Sequence, residues 1–150
     1  MHKWQILTSI FVLLLVCDEV TAGDKEDVLA AVDAVKAAWM IGDIDAAQKH
    51  FSAEYESFNA DGSLLSPMDF EGYRALVAAG LKFNVQSAHS DVTVYGNTAI
   101  LTEYHMRQLT PPGGTLVNMT LRATIVLVKQ KGQWKTVHAH VSHLTPTNPE

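Results

Sequence analysis

Apolar and polar positions along the chain change their period part-way through. In residues 28–39 the apolar side chains recur every three or four positions, which predicts an amphipathic helix that ends near Gly42. Asp43 is a suitable N-cap for a short second helix. A third helix is predicted to begin at Ser66-Pro67, since proline is tolerated in a first helical turn.

From residue 83 onward the apolar positions alternate with polar ones, as in strands. Gly96-Asn97 predicts a two-residue hairpin, and the Pro111–Gly114 segment predicts a wider connection. Two further strands are predicted over residues 115–129 and 133–143. Helices followed by an antiparallel meander indicate an α+β fold, in which about three N-terminal helices cover one face of a curved antiparallel sheet.

The predicted last strand carries polar side chains on one face. Strict alternation would place five side chains together: Trp134, Thr136, His138, His140 and Ser142. The opposite face would carry Lys135, Val137, Ala139 and Val141. Two imidazoles and a hydroxyl on one face favour either a polar pocket wall or a polar subunit contact, and the pattern alone leaves both open.

The first 22 residues have the pattern of a secretory signal peptide. A short basic start precedes an apolar run over residues 6–16, which is shorter than the roughly 20 residues of a membrane-spanning helix. Cleavage is predicted after Ala22, with a domain over residues 23–144, a flexible tail over 145–150, and a periplasmic or secreted location. An uncleaved anchor, or lipidation of Cys17, is the alternative. Cys17 is the single cysteine, so the mature chain would form no internal disulfide.

Composition restricts the partners of this chain. Its 150 residues correspond to about one domain, and a hydrophobic content of 47% is typical of a packed globular protein. The net charge of −5 argues against nucleic acid and against a membrane partner beyond the signal peptide, because both require clustered Lys and Arg.

Three segments resemble the SnoaL-like domains of the nuclear transport factor 2-like superfamily. The run from Ala38-Trp39 through Gly42-Asp43 to Phe51 resembles the helix pair of that family, and residues 58–62 resemble its strand and turn. The run from Gly132 to Ser142 resembles its closing strand, which is also similar to that of the calcium/calmodulin-dependent kinase II association domain.

The resemblance implies a cone-shaped sheet around a pocket and a homodimer through the convex face of the sheet. It also implies that Met106 and Ile125 stand where the kinase association domain has pocket arginines. Large side chains that are expected to line the pocket are Trp39, Tyr55, Phe58, Tyr73, Tyr104, Met106 and Ile125. The expected dimer face carries His105, Arg107, His138 and His140.

Candidate catalytic groups are few. Histidine titrates near neutrality, so His138 or His140 is a candidate base. The carboxylate base of the ketosteroid isomerase branch would fall near Asn59, which cannot accept a proton, and Asp61 lies in a turn that is expected to face water. A metal ion at His138 and His140 is disfavoured because no carboxylate is near in sequence, and no cofactor is expected.

The sequence therefore predicts an exported SnoaL-like domain that binds a small, largely apolar molecule in its cone, with its enzymatic status open. One alternative is an oligomerisation or interaction module with a vestigial cavity. The other is an isomerase or cyclase that uses His138 or His140 as its base.

Overall fold

The computed structural model describes residues 22–144, which form three helices and six strands. The helices are α1 (Ala22–Ile41), α2 (Ile44–Gln48) and α3 (Phe70–Ala78). The strands are β1 (Phe51–Phe58), β2 (Ser66–Pro67), β3 (Lys82–Tyr95), β4 (Thr98–Thr110), β5 (Val117–Gln130) and β6 (Gln133–His143). The predicted signal segment up to residue 21, with Cys17, and the predicted tail over 145–150 lie outside the described residues.

All six strands form one sheet in the order β2-β1-β6-β5-β4-β3. The antiparallel meander from β3 to β6 confirms the predicted α+β layout. β1 pairs with β6 in the parallel direction, so the sheet is not wholly antiparallel. Within residues 22–144, no helix combines the length and the apolar character that a membrane crossing requires.

The helix ends follow the local sequence signals in two of three places. Gly42 follows α1 with a φ of +76°, the left-handed conformation expected after a helix, and the Asp43 side chain accepts a hydrogen bond from the Ala46 N–H at 2.9 Å. The predicted start of the third helix at Ser66-Pro67 is wrong. Those residues pair with β1 as strand β2, and Asp69 caps α3 by accepting from the Gly72 N–H at 2.8 Å.

Two single-residue bulges set which side chains point toward α1. In β6, Thr136 pairs with Leu127 but His138 pairs with Val126, so Val137 is the extra residue. In β3, Ala88 is the extra residue between the pairs that begin at Ser87 and His89. A bulge reverses the facing of every later position, so the predicted strict alternation of β6 is wrong beyond Thr136.

The hydrophobic core lies between α1 and one end of the inner face of the sheet. Its buried side chains come from α1, the hairpin strands β3 and β4, the end of β5 and the start of β6: Val28, Val32, Val92, Val94, Ala99, Leu101, Leu127 and Trp134. Along the inner face of β4, this core continues from Ala99 and Leu101 into Glu103, His105 and Arg107. The change from apolar to ionisable side chains marks where the core ends and a cavity begins.

Candidate functional site

A half-open cavity of about 150 Å³ lies between α1, the inner face of the sheet and the segment around α3. Its wall is mostly apolar and aromatic, with a small set of ionisable groups on β4 and α1. The residues of the wall include Val32, Val35, Lys36, Trp39, Phe51, Tyr55, Asn59, Met68, Tyr73, Phe83, Val85, Glu103, His105, Arg107, Ala123, Ile125, Thr136, Ala139 and Val141. Such a lining is typical of small-molecule sites.

The centre of the polar group is the Glu103 carboxylate, whose side chain is 1% exposed. Its Oε2 accepts hydrogen bonds from Lys36 Nζ at 2.6 Å, Ser87 Oγ at 3.1 Å and Ser90 Oγ at 3.3 Å. Its Oε1 lies 3.1 Å from Nδ1 of His105. The Ala88 bulge is what brings both serines to the inner face beside this carboxylate.

Glu103 stays ionised although it is buried. Burial opposes the charged form, but hydrogen bonds from His105 and Lys36, with the positive charge of Lys36 and that of His105 when it is protonated, lower the pKa of Glu103 to about 2. An ionised carboxylate only accepts hydrogen bonds, so the Nδ1 atom of His105 must carry the proton between them. This fixes the tautomer of the neutral imidazole, with a lone pair on Nε2.

Two nitrogens in the wall have no partner within the described part of the chain. Nε2 of His105 and Nε of Arg107 are both buried without a hydrogen bond. Leaving a buried polar group unsatisfied costs about 1–3 kcal/mol, so such groups are uncommon and call for an explanation. Both residues belong to the cavity wall, but these two atoms are themselves covered, so a bound molecule would reach them only after a shift of the side chains.

No carboxylate among the described side chains forms a direct ion pair with Arg107, and Glu103 stabilises its charge only from a longer distance. Its guanidinium carbon lies 5.3 Å from the centroid of the Phe83 ring, a cation–π contact. Burial lowers the pKa of Arg107, although guanidinium remains charged at any physiological pH. The wall holds positive charges on Lys36 and Arg107 and a negative charge on Glu103. These three groups together carry one positive charge in excess.

Aromatic rings form much of the remaining wall. Trp39 meets Tyr73 edge-on at 4.7 Å between centroids and lies 5.7 Å from Phe83. Phe51 and Tyr55 make a second edge-on pair at 4.7 Å. Burial raises the pKa of Tyr55, so its hydroxyl is neutral and can donate a hydrogen bond.

Four of the seven side chains predicted for the pocket lie in this cavity: Trp39, Tyr55, Tyr73 and Ile125. The placement of Tyr104 and Met106 in the pocket is wrong. They alternate with Glu103 and His105 on β4, and they lie on the outer face with 47% and 50% exposure. Phe58 is also outside the cavity. The centroid of its ring lies 6.0 Å from that of His138 and 5.8 Å from that of His140.

The expected dimer face divides in the same way. His138 and His140 lie on the outer face because of the Val137 bulge. His105 and Arg107 lie at the cavity instead, so their assignment to the outer face is corrected. Asp61 is remote from the cavity, in an exposed turn where its carboxylate accepts from the Ser63 N–H at 2.9 Å, which lowers the pKa of Asp61.

Sequence reasoning missed Glu103 and Lys36 as site residues. A signal was present, because Ala99, Leu101, Glu103, His105 and Arg107 share one parity and the first two are plainly apolar.

Within the described residues, no group of three or more His, Cys, Asp or Glu side chains is arranged to hold a metal ion.

A family model described as the SnoaL-like domain matches residues 28–146. The chain belongs to the SnoaL-like domain family. The comparison with curated proteins gives no match. The family match covers most of α1, the other helices, the sheet and every residue of the cavity wall named above, so the site is part of the SnoaL-like domain itself.

Solved structures of the nuclear transport factor 2-like type share this SnoaL-like fold. An NTF2-like family protein from Streptomyces avermitilis is 21% identical, with 83% of this chain and 98% of that chain covered and a TM-score of 0.70. The association domain of Caenorhabditis elegans CaMKII is 18% identical, with 80% and 95% covered and a TM-score of 0.65. A protein from Caulobacter vibrioides with a cystatin-like fold is 15% identical, with 81% and 90% covered and a TM-score of 0.66.

Proposed function

We propose that this SnoaL-like domain binds a small, largely apolar carboxylate in its cavity. The observation that carries the proposal is Arg107, a charged group in the cavity wall with a buried Nε and no direct ion pair within the described chain. A buried charge is strongly unfavourable unless it is paired. A carboxylate fits a guanidinium well, because the two groups form parallel charge-assisted hydrogen bonds.

The size and lining of the cavity limit the rest of the ligand. An engineered protein cavity of about 150 Å³ with an apolar lining accepts benzene, so the space here suits roughly one six-membered ring. The apolar and aromatic wall favours a ring or branched alkyl group over a sugar-like one. The excess of one positive charge in the wall favours a monoanion.

Benzoate is a suitable probe, since it joins one ring to one carboxylate. Isothermal titration calorimetry should show benzoate binding to the wild-type protein and at least a tenfold weaker affinity in Arg107→Met, because loss of one charged partner costs about 1.4 kcal/mol or more. The matched control is Arg122→Met, which removes an arginine that donates to Ser142 Oγ at 3.0 Å, away from the cavity. Equal affinities in Arg107→Met and the wild type, or no benzoate binding, would contradict the proposal.

A homodimer through the outer face of the sheet is a separate part of the proposal. The outer face exposes large apolar side chains on β1 and β4, among them Phe58, Tyr104 and Met106. The fold is also that of a kinase association domain. Light scattering should show a dimer that Tyr104→Lys converts to a monomer, whereas Leu64→Lys, in the exposed connection after β1, should leave it intact.

Export is proposed from the pattern of the first 22 residues. Expression of the full chain in a secreting host, followed by intact mass measurement of the product, should give a chain that begins at Gly23. An unprocessed product that starts at Met1 would contradict the cleavage site.

A further inference from the structure

We propose that the cavity also transfers a proton, with His105 as a general base that acts on a C–H bond next to a carbonyl group of the bound molecule. This inference rests on the proposed binding function and names its substrate class, the small apolar 2-oxo acids. Glu103 is a positioning residue that holds the imidazole, and Arg107 holds the oxygens of the substrate.

The two carboxylate oxygens of Glu103 have different hydrogen-bond partners. Oε2 is occupied by Lys36, Ser87 and Ser90, whereas Oε1 contacts Nδ1 of His105 alone among the described hydrogen bonds. Lys36 keeps the carboxylate ionised, so Glu103 orients the imidazole and does not itself accept the proton. The base of this pair is therefore Nε2 of His105.

Nε2 has what a base needs in this environment. In the tautomer with the proton on Nδ1 it carries the lone pair of the ring, and no group of the described chain donates to it and blocks that lone pair. Nε2 is covered in this structure, so the substrate reaches it when the imidazole shifts toward the cavity. The Glu103 carboxylate also stabilises the imidazolium that forms when Nε2 accepts a proton.

Arg107 lies two residues beyond His105 on the same face of β4, so the two backbones are about 7 Å apart at these positions. The guanidinium has five N–H donors and can contact a carboxylate and an adjacent carbonyl oxygen together. A 2-oxo acid presents these two groups side by side. Its reactive C–H, on the carbon beyond the carbonyl, would then lie on the His105 side of Arg107.

The reaction balances without a co-reactant. Nε2 removes the proton, the C–H electron pair becomes a C=C bond, and the carbonyl electrons move to oxygen to give an enolate beside Arg107. The imidazolium then returns the proton to carbon, or to oxygen to give the enol. The net change is keto–enol isomerisation, and in heavy water it replaces hydrogen by deuterium at that carbon.

The first test needs no ligand. Nitrogen NMR of protein labelled with ¹⁵N-histidine, at a pH high enough for the imidazole to be neutral, should show His105 with a protonated Nδ1 and a bare Nε2. Glu103→Gln should weaken or reverse this preference, which loss of packing alone would not do. A wild-type His105 that carries its proton on Nε2 would overturn the assignment, whether or not a substrate is known.

The second test uses phenylpyruvate, which carries a ring, a carboxylate and a CH₂ group beside a carbonyl. Proton NMR in deuterium oxide should show methylene exchange at least 100-fold faster with the wild-type protein than with His105→Gln, which is the low end for a general base. Glu103→Gln should lose at least tenfold. His140→Gln, on the outer face, is the matched control and should exchange like the wild type.

The outcomes separate the two proposals. If phenylpyruvate binds by calorimetry but exchanges no faster than in buffer, proton transfer is wrong and the binding function stands. If neither phenylpyruvate nor benzoate binds, both are wrong. Circular dichroism of each variant checks that lost exchange does not reflect unfolding.

Discussion

Lys36 on α1 and Glu103 on β4 form an ion pair at 2.6 Å across the interface between helix and sheet, with side chains that are 14% and 1% exposed. Desolvating two charges is expensive, so this pair is not explained by stability alone. It places a fixed negative charge beside His105 and ties the covering helix to the polar end of the sheet.

Replacement of Lys36 by Met should destabilise the protein by about 3 kcal/mol, because it leaves the buried Glu103 carboxylate without its cation. Urea denaturation with linear extrapolation measures the change. Arg74→Met is the matched control, since the Arg74–Asp45 pair is exposed and should change stability by less than about 1 kcal/mol. Similar losses in the two variants would show that the Lys36–Glu103 pair is not the buried anchor described here.

Glu103 should make stability depend on pH in the acid range. Its pKa is about 2 in the folded protein against 4.5 as the reference value for the unfolded chain, so the unfolded state binds the proton more readily. The contribution is fully present above pH 4.5 and is lost as pH falls toward 2. Its total is about 3 kcal/mol at 1.36 kcal/mol per unit.

Urea unfolding of the wild type and Glu103→Gln at pH 6, 4 and 3 measures this dependence. The difference in the free energy of unfolding between the wild type and Glu103→Gln should decrease by most of the about 3 kcal/mol as the pH falls from 6 to 3. Asp45→Asn, which changes an exposed carboxylate, should follow the wild type. Parallel curves for the wild type and Glu103→Gln would contradict the low pKa of Glu103.

Deletion of Val137 should be tolerated, with a loss of stability below about 3 kcal/mol. It removes the extra residue of the bulge, so Thr136, His138 and Ala139 keep their present faces in a regular strand. Deletion of Thr124, in the regularly paired part of β5, is the contrast and should cost more than about 3 kcal/mol or prevent folding, because it reverses the facing of the side chains on one side of the deletion. Circular dichroism and urea denaturation of both deletions provide the comparison, and equal losses would show that the Val137 bulge is itself required for β6 to pair with β5.

A substitution in the hairpin between β5 and β6 should raise the stability of the protein. Lys131 and Gly132 have φ values of +52° and +80°, as in a type I′ turn, and Lys131 bears a side chain that disfavours this region. Lys131→Asn should raise stability by about 0.5–1 kcal/mol, since asparagine tolerates positive φ. Lys131→Ala keeps the strain and should give no gain in the same urea assay. A gain of equal size in Lys131→Ala would point to the loss of the lysine charge instead.

The order of the three helices and of strands β3 to β6 followed from the sequence because each signal was local, whereas β2 was missed. The apolar period of α1, the Asp43 cap and the Gly96-Asn97 turn all act within a few residues. The facing of side chains did not follow, because a bulge such as that at Val137 leaves no mark in the pattern of apolar residues and depends on pairing with β5.

The candidate site was predictable in its aromatic part and not in its polar part. Trp39 and Tyr73 come from helices whose apolar stripe is visible in the sequence. The cluster of Lys36, Glu103 and His105 needs the crossing of α1 over β4, and residues 67 positions apart in sequence carry no local sign of that contact. The resemblance assigned the wrong parity to β4. It therefore placed Tyr104 and Met106 in the pocket, where their neighbours in sequence point instead.

The inner face of β4 combines two roles along one line. Ala99 and Leu101 anchor the core, while Glu103, His105 and Arg107 equip the cavity a few ångströms further on. Ligand preference in this architecture could therefore diverge through exchanges at the last three positions, with the framework beneath them left intact. A library that varies those positions and keeps Ala99 and Leu101 fixed would be a natural starting point for redesigning what the domain recognises.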